Sequence, residues 1–464
     1  MNLLYRRVTY ITFIIIFLIL APLIVLYAQG YRFNLKRGKI QKTGILIVSS
    51  APRAAAIYLN GKLVEKKDTP ARIERLLPGD YEIKLTKNGY HDWNKKLPIY
   101  DNGTTFAEKI ILWKNTLPIP LAAQNIVDWQ LSPDGKKIIF INNREEINLL
   151  NLENDEIRQI KKLDGDNELK IIAWSNSSRK IIIEAKNNQP PLRKFYVFEV
   201  EKSDSEPAVL NANILPAIEQ NLKWDWQSDN TIYSLNSQGL WQMDLFRKKY
   251  KLLLRATSTQ DFLIAGNEAY LYKNKSIYRQ PLGDYLSAEN ASAALNINLG
   301  KIASPVLIAE NIRCDDCSFI NKSADKLFLF GSSSQNLFIV DPQNKNSIIK
   351  TSAKDISWLN KNIALFYNDW EIWIYDLNKK EPELITRLGQ PITKVVWHPE
   401  GKHIIFATSE NISVIELDNR ELRNAVTLTA IKDIKNLEVN GNGRDLYFTG
   451  KLGEQENIFK LNIR

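Results

Sequence analysis

One short pattern recurs along this 464-residue chain and constrains its fold more than any other feature. Each copy has an apolar anchor and a polar turn, followed by an aliphatic-aromatic strand and a second strand of alternating apolar residues. The clearest copies are LSPDGKKIIF, which begins at Leu131, and WHPEGKHIIF, which begins at Trp397. Self-similarity at roughly 40 residues, with about four strands per copy, predicts a β-propeller and therefore an all-β fold class for this region.

The pattern occurs in eight copies at near-constant spacing. Their anchors are Leu131, Trp174, Trp226, a blurred position near Ile264, Phe319, Trp358, Trp397 and Val439. Alternation in the second strands, for example EIWIYDL from Glu371, predicts side chains that point in turn to the two faces of a sheet. We expect eight blades, or seven if the copy near Ile264 is not a blade. A run of unrelated hairpins in a β-sandwich is the alternative fold.

The last copy needs an outer strand from elsewhere in the chain. It ends with its second strand, which begins at Asn457, whereas an apolar segment at 117–121 precedes the first copy. A ring leaves no open edge when one blade takes strands from both parts of the chain. We therefore expect residues 117–121 to complete the last blade, because the prolines of this segment are tolerated on an edge strand.

Composition and charge restrict the partners of the chain. It is 44% hydrophobic and 25% charged, with a formal net charge of +10. Such a balance fits nucleic acid, an anionic membrane surface or an acidic cell-wall polymer. The lysines are spread over turns, for example at Lys136, Lys137, Lys248 and Lys249, and no basic block alternates with aromatic residues. We therefore expect no nucleic-acid partner.

An uncharged segment from Val8 to Ala28 is long enough to span the hydrocarbon layer of a bilayer. A signal peptide is the rival interpretation, but Leu26 lies where a cleavage site needs a small residue. We expect residues 1–30 to be an uncleaved N-terminal anchor that makes the protein a single-pass cell-membrane protein. Its proline is no obstacle, because membrane helices tolerate proline.

The charges that flank this anchor do not decide its orientation in the membrane. Arg6 and Arg7 favour a cytoplasmic N-terminus, whereas the basic juxtamembrane linker that we assign to 31–43 favours the opposite. Large domains cross a membrane largely regardless of their charge. We expect the bulk of the protein to be extracytoplasmic, with a cytoplasmic propeller as the alternative.

Residues 44–113 show short strand patterns and no helical period. The patterns begin at Ile45, Ala55, Tyr81 and Phe106, and the dipeptide Asn60-Gly61 predicts a hairpin turn. We expect a small β-sandwich here, which places the propeller at 114–464.

The small domain resembles the PEGA domain, a β module of bacterial and archaeal surface proteins. The matching segments are Ser50-x-Pro52, Ala55-x-Ile57-Tyr58-Leu59-Asn60-Gly61-Lys62, Thr69-Pro70, Leu77-Pro78-Gly79-x-Tyr81 and Lys87-x-Gly89-Tyr90-x-x-Trp93. The tetrapeptide that names the family reads Pro52-Arg53-Ala54-Ala55, so alanine replaces glycine and arginine replaces an acidic residue. This change puts a turn that needs positive φ in doubt, and the resemblance implies no ligand-binding residue.

The propeller copies are similar to TolB-like and WD-repeat-like propellers, which carry the pattern W-S-P-D-G-K-x-I. Residues 131–138 and 397–404 carry it best, and 174–181 is a degraded copy. This resemblance implies a binding or scaffolding role and no catalytic residues.

The residues available for catalysis are few. The three histidines, His91, His398 and His403, form no zinc-peptidase motif, and no nucleophile elbow or phosphate-binding glycine loop is present. We expect no enzyme activity and no catalytic, metal or cofactor site. Cys314 and Cys317 lack the second pair that a structural zinc site needs. A local disulfide of low stabilising effect is one reading, and two unpaired thiols is the other.

Two classes of function remain. The leading hypothesis is a membrane-anchored cell-surface protein, in which the propeller binds a protein or a cell-wall glycan and the PEGA-like domain is a stalk. The alternative is a propeller enzyme with an unrecognised active site in its loops, or a scaffold that faces the cytoplasm.

Overall fold

The computed structural model describes residues 3–34, 38–123, 125–163, 167–188, 191–202, 206–210, 221–255, 258–282, 304–320, 325–345, 347–379 and 381–464. One helix of this part of the chain, α1 (Leu3–Ala28), is long and apolar enough to cross a membrane. Its 26 residues span ~39 Å at the rise of an α-helix, and Pro22 lies inside it. Helices of this kind also occur as signal sequences, so length and composition alone do not establish an anchor.

A short hairpin follows the helix in the segment that we assigned as a basic linker. Strands β1 (Tyr31–Asn34) and β2 (Lys39–Lys42) pair in antiparallel fashion. The Arg32 guanidinium lies 3.5 Å from the centroid of the Tyr27 ring and donates a hydrogen bond to the Tyr27 carbonyl oxygen. Sequence analysis missed this hairpin, because strands of only four residues are too short for an alternating pattern to identify them.

Two sheets form the N-terminal sandwich. Its strands are β3 (Gly44–Ala51), β4 (Ala56–Leu59), β5 (Lys62–Asp68), β6 (Ala71–Leu76), β7 (Gly79–Thr86), β8 (Trp93–Ile99) and β9 (Thr104–Ile111). One sheet has the order β6-β3-β9, with β3 and β9 parallel, and the other has the order β5-β4-β7-β8. Alternate residues of β3 and β7, among them Leu46 and Leu85, are buried in one core between the sheets. This arrangement is the small sandwich that the sequence predicts.

The motif residues of the sandwich meet in one hydrogen-bonded turn. The Ser50 hydroxyl donates to the Pro52 carbonyl oxygen, and Ser50 Oγ lies 2.6 Å from Thr69 Oγ1. The Ala55 amide donates to Thr69 Oγ1 at 3.0 Å. Ala54 has φ of 60°, so the turn retains positive φ although alanine replaces glycine. A left-handed conformation costs an alanine about 1–2 kcal/mol, which the surrounding hydrogen bonds offset.

We predict that Thr69→Val lowers the unfolding free energy of the sandwich by about 1–3 kcal/mol, because the buried Ala55 amide loses its acceptor. The conservative variant Thr69→Ser keeps the hydroxyl and should lose much less. Urea unfolding of both variants measures the difference. Equal losses in the two variants would show that the methyl group matters rather than the hydrogen bonds.

The first compact unit consists of residues 1–116, 415–428 and 463–464. Within this unit the Lys95 side chain is fully buried, and its ammonium group pairs with the Glu416 carboxylate. The Trp93 indole donates to the other Glu416 oxygen at 3.1 Å. Burial raises the pKa of Asp418, but hydrogen bonds from Arg420 and the Lys95 charge outweigh it and lower that pKa to about 2. Residues more than 300 positions apart in sequence thus share one buried ion pair.

The second compact unit, residues 117–414 and 429–462, carries the repeats. The strands of the repeat region are β10 (Ile119–Ala123), β11 (Ile126–Leu131), β12 (Lys137–Asn142), β13 (Glu146–Asn151), β14 (Glu156–Lys162), β15 (Asn167–Trp174), β16 (Lys180–Asn188), β17 (Pro191–Glu199), β18 (Ala208–Val209), β19 (Leu222–Trp224), β20 (Thr231–Asn236), β21 (Gly239–Asp244), β22 (Lys249–Leu254), β23 (Thr259–Ala265), β24 (Glu268–Lys273), β25 (Ser276–Pro281), β26 (Val306–Ala309), β27 (Cys317–Phe319), β28 (Leu327–Gly331), β29 (Asn336–Val340), β30 (Ile348–Ser352), β31 (Asp355–Asn360), β32 (Ile363–Tyr367), β33 (Glu371–Asp376), β34 (Glu383–Arg387), β35 (Ile392–Trp397), β36 (His403–Thr408), β37 (Asn411–Glu416), β38 (Ala425–Ala430), β39 (Leu437–Val439), β40 (Asp445–Leu452) and β41 (Gln455–Asn462).

From β11 to β38, each successive set of four strands forms one sheet in simple sequential order, which gives seven sheets in the described residues. The copy near Ile264 is one of them, formed by β23 to β26. The eighth sheet has the order β10-β41-β40-β39. Repeated four-stranded sheets of this kind are typical of a β-propeller, as the repeat predicts.

The eighth sheet takes its outer strand from the segment before the first repeat. Strand β10 pairs with β41 in antiparallel fashion, with Ile119 opposite Lys460 and Pro120 opposite Phe459. The predicted closing strand is confirmed, with its position shifted by two residues toward the C-terminus. Pro120 is compatible with this place, because it lies on an edge strand at an irregularity in the register.

Side chains then join the eighth sheet to the first. The Tyr447 hydroxyl donates to Asp155 at 2.7 Å, and the Lys460 ammonium pairs with the same carboxylate at 2.6 Å. The Gly441 amide donates to the Gly135 carbonyl oxygen at 2.9 Å, a contact so close that a Cβ on Gly135 would lie 2.7 Å from Gly441 Cα.

One anchor of the repeat differs from the sequence prediction. Trp226 is 62% exposed in the turn after β19, whereas Trp224 ends the strand and its indole donates to the Ala173 carbonyl oxygen of the preceding sheet. Trp174 and Trp358 make the same contact, with Gln130 and Ile320 as acceptors. The assignment of Trp226 was wrong because the two tryptophans are only two residues apart and both precede the strand that begins at Thr231, so spacing does not distinguish them.

Candidate functional site

The first strands of four sheets line an open cavity of about 630 Å³, which we call the axial cavity. Its walls are the inner strands β11, β31, β35 and β39 and the turns that follow three of them. The lining residues are Trp129, Gln130, Leu131, Ser132, Pro133, Asp134, Gly135, Asp355, Ile356, Ser357, Trp358, Leu359, Lys394, Val395, Val396, Trp397, Pro399, Glu438, Val439 and Gly441. A cavity of this size is in the range of small-molecule and side-chain binding sites.

Charged groups of opposite sign face one another in the axial cavity. Three carboxyl groups, those of Asp134, Asp355 and Glu438, and one ammonium group, that of Lys394, lie in its lining. The Lys394 ammonium pairs with Asp355 at 2.5 Å. No hydrogen bond or ion pair to the Glu438 carboxyl is present among the described residues. With all four groups ionised, the lining has a net charge of −2.

Burial and neighbouring charges set the protonation of these groups. Burial raises the pKa of Glu438, the Lys394 charge lowers it and the Asp355 charge raises it, and together they bring that pKa to about 7. Burial lowers the pKa of Lys394, but the charges of Asp355, Tyr367 and Glu438 outweigh it and leave that pKa above its ordinary value. Burial also raises the pKa of the Tyr367 hydroxyl. Glu438 is therefore the cavity group that titrates near neutral pH.

We predict a pH dependence of stability that Glu438 causes. Because the folded-state pKa lies above the ordinary value of 4.5, the folded state binds this proton more tightly than the unfolded chain. The stabilisation is fully present below pH ~4.5 and is lost as the pH rises through about 7. Glu438→Gln should therefore be more stable than wild type at pH 8, by on the order of 1–3 kcal/mol, and similar at pH 4.5. Urea unfolding at both pH values measures this, with the exposed Glu410→Gln as the control that should change neither value.

Three indole rings, those of Trp129, Trp358 and Trp397, form the aromatic part of the lining. The Trp358 indole is held by its hydrogen bond to the Ile320 carbonyl oxygen. The indole nitrogens of Trp129 and Trp397 are buried and have no hydrogen-bond partner among the described residues. The three indole rings therefore give the cavity an aromatic wall beside its carboxyl groups.

A recurring polar position places two of the charged groups of the lining, Asp355 and Lys394. Asp128, Asp261 and Asp355 each lie three residues before the anchor of their copy, and Lys394 has the same place before Trp397. Asp128 accepts a hydrogen bond from the Ile171 amide of the next sheet, and Asp355 accepts one from Lys394. Sequence analysis missed these residues, although their fixed offset from the anchors was a readable signal.

The cysteines lie in the core between the fourth and fifth sheets. Cys314 and Cys317 are joined by a disulfide, and both side chains are buried in a cluster that includes Tyr272 and Leu327. Ligand atoms of Cys314, Asp316 and Cys317 lie within 4.8 Å of one another. In this disulfide both sulfur atoms are bonded to each other, so they offer no thiolate to a metal ion.

We predict that replacing both cysteines with alanine lowers the unfolding free energy by about 2 kcal/mol, because the packing loss of two buried side chains adds to the small constraint of a short loop. The sequence alone favours almost no change, but burial of both side chains adds a packing loss. Thermal unfolding of the double variant measures the full shift, and wild type with a reductant should show only the part that comes from the lost constraint. A melting temperature that neither treatment moves would support the original expectation.

The histidines do not converge on the axial cavity. His398 is fully buried, its Nε2 lies 3.0 Å from the Gly443 carbonyl oxygen, and its ring is 6.1 Å from that of His403. His91 lies in the first compact unit, where burial lowers its pKa. His398 therefore has a structural role in the turn that follows β35.

Comparisons with known proteins match the two β regions separately. Residues 43–110 match the PEGA domain family, which covers the sandwich alone. No curated protein sequence matches the chain.

Among solved structures, the C-terminal WD40 domain of Sif2 superposes with a TM-score of 0.50 at 14% identity, over 75% of this chain and 99% of that chain. A structure of the eukaryotic initiation factor gives a TM-score of 0.46 at 13% identity, over 74% of this chain and 86% of that chain. Identity this low shows the fold alone. The chain therefore carries a PEGA domain followed by a WD40-like β-propeller, and the TolB-like assignment stays a prediction.

Proposed function

We propose that this protein is a membrane-anchored cell-surface binding protein without catalytic activity. In this proposal α1 is the anchor, the PEGA domain is a stalk and the propeller is a head that binds a protein partner. The observation that supports the binding role is the axial cavity, in which aromatic rings and charged groups converge from four different sheets. Binding sites typically combine an apolar lining with a few convergent polar groups in this way.

The binding role is tested by photo-crosslinking with the full chain in the membranes of cells that express it. A photoreactive residue in place of Pro399, which lines the cavity, should give one dominant protein adduct that excess unlabelled protein suppresses. The matched control is the exposed Ser332, in the turn between β28 and β29, which should give no such adduct. Equal labelling from both positions would refute a binding head centred on the cavity.

The external location rests on the helix and on the PEGA domain. An extracytoplasmic compartment also favours the disulfide between Cys314 and Cys317, since cytosolic thiols are kept reduced. The protein should stay in the membrane fraction after an alkaline wash, and protease added to wall-stripped cells should digest the propeller. A protected propeller would instead support the scaffold that faces the cytoplasm.

We further infer that the propeller has eight blades. Eight four-stranded sheets in the described residues and the contacts of Tyr447 and Lys460 with Asp155 support this number over seven. An experimental structure of the propeller at a resolution that separates strands would decide it.

A further inference from the structure

We propose that the axial cavity binds a cationic side chain, the ammonium or guanidinium group of a basic peptide segment, with Glu438 as its counter-charge. This inference rests on the proposed binding function and names the chemistry of the occupant. It commits to a basic segment of a partner protein, and a glycan is an alternative that the experiment below separates.

The charge of the cavity supports a cation. The chain as a whole has a formal net charge of +10, whereas the axial cavity has three carboxyl groups and one ammonium group in its lining. Lys394 is already paired with Asp355, so it neutralises one carboxylate and leaves Glu438 without a partner among the described residues. A cation that enters the cavity would therefore meet a carboxylate that has no ion pair or hydrogen bond of its own among the described residues, in a partly desolvated place where ion pairs are strong.

Three titratable side chains interact with the Glu438 carboxyl, namely Lys394, Asp355 and Tyr367. They lie on three neighbouring strands, β35, β31 and β32. The Lys394 charge opposes a second cation, and the ionised Asp355 compensates for it at 2.5 Å. The Lys394–Asp355 pair has no net charge, so the lining keeps a net negative charge when Glu438 and Asp134 are ionised.

The aromatic rings supply the other half of a cation site. Tryptophan is the side chain with the strongest cation–π interaction, and Trp129, Trp358 and Trp397 all line the cavity. Its volume of about 630 Å³ exceeds that of one lysine or arginine side chain, so part of the adjoining peptide has room as well. A neutral sugar would leave the charge of Glu438 uncompensated, and an anion would be repelled.

The test is isothermal titration of the full chain in neutral detergent micelles with capped trilysine at pH 8. The comparison ligands are capped triglutamine, which has a similar length and no charge, and diacetylchitobiose, which is a neutral glycan. We expect trilysine to bind about 10-fold or more tightly than triglutamine. Tighter binding of diacetylchitobiose than of trilysine would overturn the proposal in favour of a glycan.

Two variants locate the site. Glu438→Gln keeps the shape of the side chain and should weaken trilysine binding by about 10- to 30-fold, whereas the exposed Glu410→Gln should bind like wild type. Both variants are first shown to unfold cooperatively. Unchanged affinity in Glu438→Gln would overturn the proposal.

A measurement on the wild-type chain makes the test independent of the variants. Because the Glu438 carboxyl is partly protonated at pH 7, binding of a cation there should release about half a proton. Titrations in two buffers of different ionisation enthalpy measure this number, and affinity should rise by about 10-fold from pH 6 to pH 8. Binding without proton release would contradict the role of Glu438.

If Glu438→Gln still gives the Pro399 adduct, the binding head remains supported and only the cation site fails.

Discussion

Replacing the five residues of β10 with a Gly-Ser linker of equal length is expected to loosen the C-terminal sheet, far away in sequence. Strand β41 would become an unpaired edge, and its outward amides would lose their acceptors on β10. We expect amide exchange around Phe448 and Phe459 to accelerate roughly 30- to 150-fold, which corresponds to about 2–3 kcal/mol of local stability. Hydrogen exchange of the full chain, followed by mass spectrometry, measures this effect.

The matched control replaces β34, which is also a five-residue outer strand, with the same linker. It should accelerate exchange in the sixth sheet, for example at Phe366, and leave Phe459 unchanged. If the β10 variant instead loosens the first sheet near Leu131, the closing strand does not stabilise the last sheet, and ring closure depends on another contact.

Asp261→Ala is expected to cost about 3–5 kcal/mol of unfolding free energy, the largest effect of a single substitution that we predict. The Asp261 side chain is fully buried and accepts hydrogen bonds from Lys223 at 2.7 Å, Asn221 at 2.8 Å and the Phe319 amide. These partners lie on or beside the inner strands of the third and fifth sheets, so one carboxylate in the fourth sheet connects three sheets. Its removal leaves the Lys223 ammonium without its counter-ion and the Phe319 amide without an acceptor.

Urea unfolding of the full chain measures this loss, and the exposed Asp315→Ala serves as the control on a nearby loop. Asp261→Asn retains the size of the side chain and should fall between wild type and Asp261→Ala. A cost below about 1 kcal/mol for Asp261→Ala would show that solvent replaces the carboxylate at this position.

Part of the fold was accessible from the sequence because it depends on local patterns. The turn Ser132–Lys136 and the alternation in β33 identify hairpins directly, since side chains in a strand alternate and tight turns need glycine or asparagine. The closing strand near Leu121 was predicted from a missing partner. By contrast, the anchor Trp224 was mistaken for Trp226, because burial distinguishes two nearby tryptophans and spacing does not.

The candidate site could not be predicted from the sequence in the same way. Glu438, Lys394, Asp355 and Trp129 lie far apart in the chain, and each looks like an ordinary strand residue. The offset of the recurring aspartates from their anchors was visible, but its meaning depends on which strand of each sheet is innermost. That information comes from the packing of four sheets around one cavity.

The sequence by itself determined the repeat, the apolar helix, the PEGA domain and the identity of the closing segment, because each depends on residues that are close together or on a period along the chain. Only the tertiary structure decided that Glu438 has no ion pair or hydrogen bond within the described part of the chain, that the Lys95 ammonium is buried against Glu416, and that three tryptophans line one cavity. The physical reason is that burial and pairing of charges depend on contacts between residues from different sheets, and these contacts leave no local pattern in the chain.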